Sequence, residues 1–420
     1  MTDTSRRFDV VLLGPTGVTG REVARYLHRR APELGLTWAV AGRDRARIEA
    51  TLASVGAEAA DVLHADTTDP RSVEAVVGAA TVVADLVGPF ARHGEPVYAA
   101  CARLGTHCID PCGEIDWISD MIRRYDERAT ASGAVIVPTA GFEALPFDLG
   151  ALLAAHALHE RTGLPVRSVD VAVTITSDRD LRVRSAADTV SGGTFASGLE
   201  QIRRGRSEVT DPHLLDTGDR RHGRYDLRPR KHAGTGRWLS PMVPSPFLNP
   251  PVVHRSASLL RDSGDSIHAA DFEYTEGVAT AGMLPVPLAA PAAVAGSLLA
   301  MGMGTLTRAR ESVRRSVADT LERLGPSPGD GPRPEDLDRW RYRLDARAVD
   351  VRGGTQDVVV EADGHPGYKS TATMLGEAAL ALADPEAPTP DGAGFLTPAT
   401  ALGLGVLDRF ESAGLRFRAT

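Results

Sequence analysis

The chain predicts an α/β protein. Its first part is a doubly wound parallel sheet, and a second, α+β part is inserted before C-terminal helices that return to the first. Three observations predict this. Residues 8–13 (Phe-Asp-Val-Val-Leu-Leu) form an apolar run that ends abruptly in glycines at 14, 17 and 20, and residues 22–27 then carry apolar side chains at helical spacing. Strand-like and helix-like stretches go on alternating as far as residue 150. Beyond that point a half-buried strand pattern at 167–176 and a Gly353-Gly354 hairpin take over.

The first strand and its turn carry the most chemistry. Residues 8–13 suit a strand buried on both faces, so the glycines stand between a strand and a helix. A tight turn there lets backbone N–H groups and the helix N-terminus face a pyrophosphate, and a Cβ at the closest points would obstruct it. The spacing is G-x-x-G-x-x-G, and Gly14, Thr16, Gly17, Val18, Thr19 and Gly20 are the predicted contacts. Residues 36–43 form the second strand and end in Arg43, where a dinucleotide fold of the Rossmann type places the residue that meets the adenosine ribose. An acid there would repel a 2′-phosphate, whereas a guanidinium pairs with it, so the expected cofactor is NADP(H).

Residues 45–55 follow as a helix and 60–66 as a third strand, whose terminal Asp66 is placed to meet the adenine edge. Asp69 and Pro70 mark the next helix start. A fourth strand at 81–87 runs into Gly88 and Pro89, which should line the nicotinamide side of the crevice at the carboxyl ends of the strands. Residues 106–110 and 134–138 are the fifth and sixth strands. Their loops, Asp110 to Glu114 and Gly141 to Gly150, converge on the same edge.

In the second part, residues 151–161 read as a helix, and Ser191-Gly192-Gly193-Thr194 opens another toward Arg204. Further helices are expected over 308–323, 368–383 and 398–413, and a hairpin over 340–362. The expected domains are a dinucleotide-binding unit over 1–160, a substrate unit over 161–375, and helices over 376–420 that pack back on the first. The arginine-rich stretch 203–237 is either a solvated loop or a rim that meets phosphate. Residues 278–306 carry no charge, but Pro285, Pro287 and Pro291 interrupt them. A spanning helix needs about 20 strongly apolar residues, so these prolines and the alanine-rich composition disfavour a transmembrane span. An amphipathic helix that packs on the core, roofs a lipid-sized pocket or touches a membrane surface is favoured over it.

With 420 residues there is room for two cores. The net charge of −8 on a well-mixed chain argues against nucleic acid as a partner. Cys101, Cys108 and Cys112 lack C-x-x-C pairing and are odd in number, which points to reduced thiols and a cytoplasmic setting. The polar start up to Arg7 predicts no signal peptide. His156 and His159 share a helix face, but no third ligand accompanies them and no metal is expected.

The motifs together resemble the saccharopine dehydrogenase-like NADP-binding oxidoreductases, and within them the trans-acting enoyl reductases. The resemblance rests on GPTGVTG at 14–20, AGR at 41–43, VGPF at 87–90 with GEPV at 94–97, DPCGE at 110–114 and GFEALPFDLG at 141–150. It continues in SGGT at 191–194, GHPGYKSTA at 364–372 and LTPATALG at 396–403. Departures from the family pattern fall at Cys108, 110–114 and 140–148. The resemblance implies an NADPH-dependent enzyme acting on a small-molecule or carrier-tethered acyl substrate, most directly by reducing a carbon–carbon double bond. Imine reduction or secondary-amine oxidation, as in the namesake enzymes, and a non-catalytic nucleotide- or lipid-associated role are the alternatives. Neither Lys231 nor Lys369 has a tyrosine four residues before it, so a Tyr–Lys carbonyl reductase is disfavoured. For an enoyl thioester, hydride adds to the β-carbon, donors stabilise the enolate oxygen and an acid protonates the α-carbon. Asp110, Cys112, Glu114 and Thr194 are the candidates for these roles by position.

Overall fold

The computed structural model describes residues 6–178, 180–181, 185–188, 190–217, 222–243, 245–280, 286–327 and 330–420. The strands of the first half are β1 (Phe8–Leu13), β2 (Trp38–Gly42), β3 (Val62–His64), β4 (Ala80–Asp85), β5 (His107–Ile109) and β6 (Val135–Val137). Those after them are β7 (Val166–Ser177), β8 (Arg230–Lys231), β9 (Trp238–Ser240), β10 (His268–Ala279), β11 (Trp340–Asp350), β12 (Thr355–Asp363), β13 (Gly394–Phe395) and β14 (Leu415–Ala419). Two seven-stranded sheets result.

The first has the order β13-β6-β5-β4-β1-β2-β3, and every pairing in it is parallel. Alternation along β1 shows why its run is apolar throughout. Val10 and Leu12 face one core, shared with helices Val18–Glu33 and Thr371–Ala383. Val11 and Leu13 face the other, under helices Pro70–Gly78, Glu95–Leu104 and Ile115–Ser132. The strand order reverses direction between β1 and β4, which opens a crevice at their carboxyl ends.

The second sheet has the order β14-β12-β11-β7-β10-β9-β8. The hairpin β11–β12 turns at Gly353, where φ is +88° and Asp350 accepts from the backbone of Arg352 and Gly354. The helix read at 151–161 starts earlier, at Leu145, because Pro146 is tolerated in the first turn and Phe147 and Leu149 are drawn into the core. It packs on the second sheet closely enough that a Cβ on Gly150 would lie 3.0 Å from Val360. Residues 238–277, which carried no local expectation, supply β9, the helix Asn249–Asp262 and most of β10.

The chain then returns to the first sheet. Glu377 on Thr371–Ala383 is fully buried and accepts from Tyr26 and Arg30 of the first helix, and from Arg409. A buried carboxylate needs such partners, and these pin the helix to the first domain. β13 adds to the edge of β6, whereas the last strand, β14, closes the second sheet beside β12. Of the stretch 278–306, residues 281–285 lie outside the described residues, and Val286–Leu306 is a helix.

Candidate active site

The glycine turn forms at the carboxyl end of β1, and each glycine has its own reason. Gly14 has φ +84°, and a Cβ on it would lie 2.9 Å from Val87 Cγ2 and 3.2 Å from the carbonyl carbon of Leu86. On Gly20 a Cβ would come within 2.3 Å of the Gly14 carbonyl oxygen, so glycine alone lets the helix pack on its own loop. Gly17 differs: a Cβ there meets nothing of the protein nearer than 4.0 Å, and the residue is exposed. As the N-cap of Val18–Glu33 it offers no side chain to the first-turn N–H groups, and no acid lies in that turn. An uncapped positive helix end beside open space is what a pyrophosphate requires. Thr16, Val18 and Thr19 flank it, half-buried.

Arg43 stands exposed just beyond β2, with no ion pair or hydrogen bond among the described residues. Asp44 beside it is occupied, accepting from Arg47 N at 3.0 Å as the N-cap of helix Arg45–Val55. Asp66 lies at the carboxyl end of the neighbouring β3. Bonds from the backbone and hydroxyl of Thr68 (2.9 and 2.8 Å), with a smaller contribution from Arg43, hold its carboxyl below the usual range. Burial and the same guanidinium push His93 down. Arg43 is therefore an exposed cation without an ion-pair partner among the described residues, close enough to Asp66 and His93 to act on both.

On the other side of the crevice β4 ends in Asp85, fully buried, which accepts from Val87 N at 2.9 Å and so fixes the loop carrying exposed Gly88 and half-buried Pro89. Its second oxygen has no partner among the described residues, and burial pushes its carboxyl well up. Asp110, Cys112 and Glu114 lie on the loop after β5, all buried. Asp110 accepts from Tyr98 OH at 2.6 Å and from Cys112 N at 2.8 Å, and burial raises it to about 7. The Cys112 thiol is raised well above its ordinary value by burial, so it is no ready thiolate. Glu114 does not cap its own helix. Its two oxygens accept from Phe90 N (2.8 Å) and Ala91 N (2.9 Å), closing the short helix Phe90–His93 that follows Pro89.

A helix of the second domain, Gly192–Arg204, lies across this loop. Ser197 bonds Glu114 and sits 3.6 Å from where a Cβ of Gly88 would be. Gln201 Nε2 donates to the Gly113 carbonyl at 2.6 Å. Ser191 caps the helix by accepting from Thr194 N at 3.3 Å, and Thr194 itself is exposed. At the same end, a Cβ on Gly331 would lie 2.7 Å from Val18 Cγ2 and 3.4 Å from Ser191 Cβ. The helix thus reaches from the loop after β4 to the glycine turn after β1, a roof over the crevice.

Sequence reasoning passed over a second polar cluster beside these loops. Glu276 on β10 accepts from Asn249 Nδ2 (3.0 Å) and Tyr274 OH (2.9 Å), and Glu143 bonds Ser245. Burial raises both carboxyls to about 7, and the Glu143 charge adds to the rise at Glu276. Glu276, Tyr274, Tyr225, Met242, Pro246 and Pro250 are among the lining of a cavity of about 220 Å³. Leu248, next to Asn249, touches Gly113, and Gly141, in the loop with Glu143, adjoins Pro111. A single arginine, Arg224, borders the cavity, and it is exposed. Most arginines of 203–237 are otherwise engaged: Arg203, Arg204, Arg206, Arg228 and Arg230 all pair with acids of the same chain. Arg220 and Arg221 lie outside the described residues.

The fold and this site define an NADP-binding oxidoreductase. The profile of the saccharopine dehydrogenase NADP binding domain matches residues 10–137. A trans-acting enoyl reductase of Mycobacterium tuberculosis is 32% identical over 437 residues, covering 99% of this chain and 98% of that protein. One from Mycobacterium ulcerans is 31% identical over 441 residues, covering 100% and 99%. Among solved structures, the apo saccharopine dehydrogenase (L-Glu forming) of Saccharomyces cerevisiae has the same fold, with a TM-score of 0.51 at 15% identity over 98% of this chain and 99% of that one. The chain belongs to the saccharopine dehydrogenase-like NADP-binding oxidoreductases, in the trans-acting enoyl reductase group.

Proposed function

We propose that the protein reduces the carbon–carbon double bond of an α,β-unsaturated acyl group, presented as a thioester on a carrier or coenzyme. The observation that carries the reading is the Glu143–Glu276 pair beside a partly apolar cavity with no enclosed arginine. Such a cavity suits an acyl chain better than an amino-dicarboxylate, which would call for buried guanidinium groups. NADPH, when bound, supplies the hydride.

The rest is work for the chain's own residues. Gly14, Thr16, Gly17, Val18, Thr19 and Gly20 hold the pyrophosphate by backbone N–H groups, and Arg43 pairs with the 2′-phosphate. Asp66 meets the adenosine, and Gly88 and Pro89 border the nicotinamide. Helix Gly192–Arg204 excludes water, with Thr194 at its open end as a donor toward the acyl oxygen. Asp110, Cys112 and Glu114 act as positioning residues, since their polar atoms are spent on Tyr98, on one another and on the helix after Pro89. Glu276, kept protonated up to about pH 7, donates the proton to the α-carbon, and Asn249 and Tyr274 hold it in place.

The test is turnover of 2-enoyl thioesters with NADPH carrying deuterium at the transferable position. The expected product is the saturated thioester with the label on its β-carbon. Oxidation of NADPH by imines but by no enoyl thioester would overturn the reading.

A further inference from the structure

Helix Val286–Leu306 is built inside out. The row it turns to the protein is small: Ala289, Ala293, Ser297 and Ala300, all buried. The row it turns to solvent is large and apolar, with Leu288 52%, Leu298 65% and Leu299 55% exposed. A surface helix of a soluble domain does the reverse. No charged residue occurs from 286 to 307. The next helix, Glu311–Leu324, exposes Val313, Leu321 and Leu324, and eight of the nine large hydrophobic side chains exposed among the described residues lie on these two helices. A patch of this concentration marks an interaction site.

Its rim is basic. The acids of Glu311–Leu324 are engaged within the chain: Glu311 pairs with Arg315, and Asp319 and Glu322 share Arg203. Arg308 bonds only the neutral Thr210 hydroxyl, and Arg310 and Arg323 have no ion-pair partner among the described residues. On a chain of net charge −8 this is a local excess of positive charge set beside apolar surface.

We propose that this face docks in the plane of an anionic lipid bilayer, with the leucines among the acyl chains and Arg308, Arg310 and Arg323 among the headgroup phosphates. A second copy of the chain fits poorly, because two like-charged rims would meet. Leu288–Leu306 is long and apolar enough to cross a membrane, with mean hydropathy 1.4, but its setting holds it in the plane. Thr280 bonds the Ala289 carbonyl at 2.7 Å, and Gly296 lies against Ser240, where a Cβ would collide with the hydroxyl. The helix after it packs on Gly192–Arg204, with the Arg314 guanidinium filling the space at Gly205. Crossing would tear both contacts apart. The helix also meets Phe247 at Gly304, and the Phe247 ring lies 5.0 Å from that of Tyr225 of the cavity, so one side chain separates this helix from the cavity wall.

The experiment is co-sedimentation of the full chain with phosphatidylglycerol–phosphatidylcholine vesicles and with phosphatidylcholine vesicles alone, read without any enzymatic turnover. Wild type should bind the anionic vesicles at least tenfold more tightly and lose that preference in high salt. Arg308→Glu with Arg310→Glu should lose the preference. Leu298→Glu with Leu299→Glu should lose binding to both, while NADPH binding and the thermal transition stay as in wild type. Absence of wild-type binding to anionic vesicles would overturn the proposal. So would a dimer in sedimentation equilibrium that Leu298→Glu with Leu299→Glu converts to monomer, which would assign the face to a second copy.

Discussion

Gly17 and Gly20 sit three residues apart, and the structure separates what each is for. Gly20→Ala must displace the Gly14 carbonyl, 2.3 Å from the new Cβ, so the variant should melt lower and bind NADPH weakly. Gly17→Ala meets no protein atom within ordinary contact, so its melting temperature should match wild type while NADPH binding weakens. Differential scanning fluorimetry with and without NADPH separates the two outcomes, and equal destabilisation by both would contradict the assignment of Gly17 to the ligand. Glu276→Gln tests the proton source. Activity in wild type should fall as pH rises through about 7, where the carboxyl that burial has raised loses its proton. The glutamine variant should keep NADPH binding, be slower by roughly 10²–10⁴-fold and lack that limb of the pH profile. The glycine spacing was legible because a strand, a turn and a helix are local in sequence. Glu276 was not, because its partners Asn249 and Glu143 come from 27 and 133 residues away, as 276 − 249 and 276 − 143 give, and nothing near Glu276 announces them.

Elements are held to one another by buried polar groups whose partners come from distant segments. Asp148, near the start of Leu145–Thr162, accepts from Ser256 of helix Asn249–Asp262 and from Ala399 N at 2.8 Å, tying three segments of the chain together. Asp148→Ala leaves Ala399 N without its acceptor, whereas Ser256 keeps the Val252 carbonyl and the Thr397 hydroxyl, and a buried unsatisfied group costs about 1–3 kcal/mol. A loss of about 1–3 kcal/mol in urea-unfolding stability is expected from that one group, and a change within error would remove Asp148 from this role. Roofing of the crevice by Gly192–Arg204 depends on Gln201 and Ser197, neither of which a local motif marks, although the Ser-Gly-Gly-Thr start of that helix was visible. The helix Asn249–Asp262 was hidden by Pro250 and Pro251, which read as breakers but occupy its first turn, where proline lacks no needed bond.

Across the whole molecule the two sheets were unequally legible. Each parallel strand of the first is a short apolar run next to its own helix, so periodicity alone located six of them. The second sheet is closed by pairings between distant segments, with β10 parallel to β7 and β14 antiparallel to β12, and only β7, read at 167–176, and the local β11–β12 hairpin announced themselves. The same burial that closes the molecule sets its response to pH. Asp110, Glu143 and Glu276 are raised by burial to about 7, and Asp148 to about 6, against roughly 4 in an unfolded chain. Between those values the folded chain binds more protons at these carboxyls than the unfolded one. His107, His268 and His365, lowered by burial to about 4, bind fewer below about 6.5 and offset part of it. Stability should therefore fall as pH rises, most steeply between about 6.5 and 7, and level off above. Urea unfolding at pH 5 and pH 7.5 checks the sign.

Arg43 is the residue proposed to read the cofactor's 2′-phosphate, and the preference for NADPH is proposed to rest on it. Fluorescence titration of wild type and Arg43→Ala with NADPH and with NADH tests that directly. Wild type should prefer NADPH, and the substitution should weaken NADPH by about 1.5–3 kcal/mol, roughly ten- to hundredfold, while leaving NADH unchanged. Equal binding of the two nucleotides by wild type, or an NADPH affinity that survives the loss of Arg43, would contradict it.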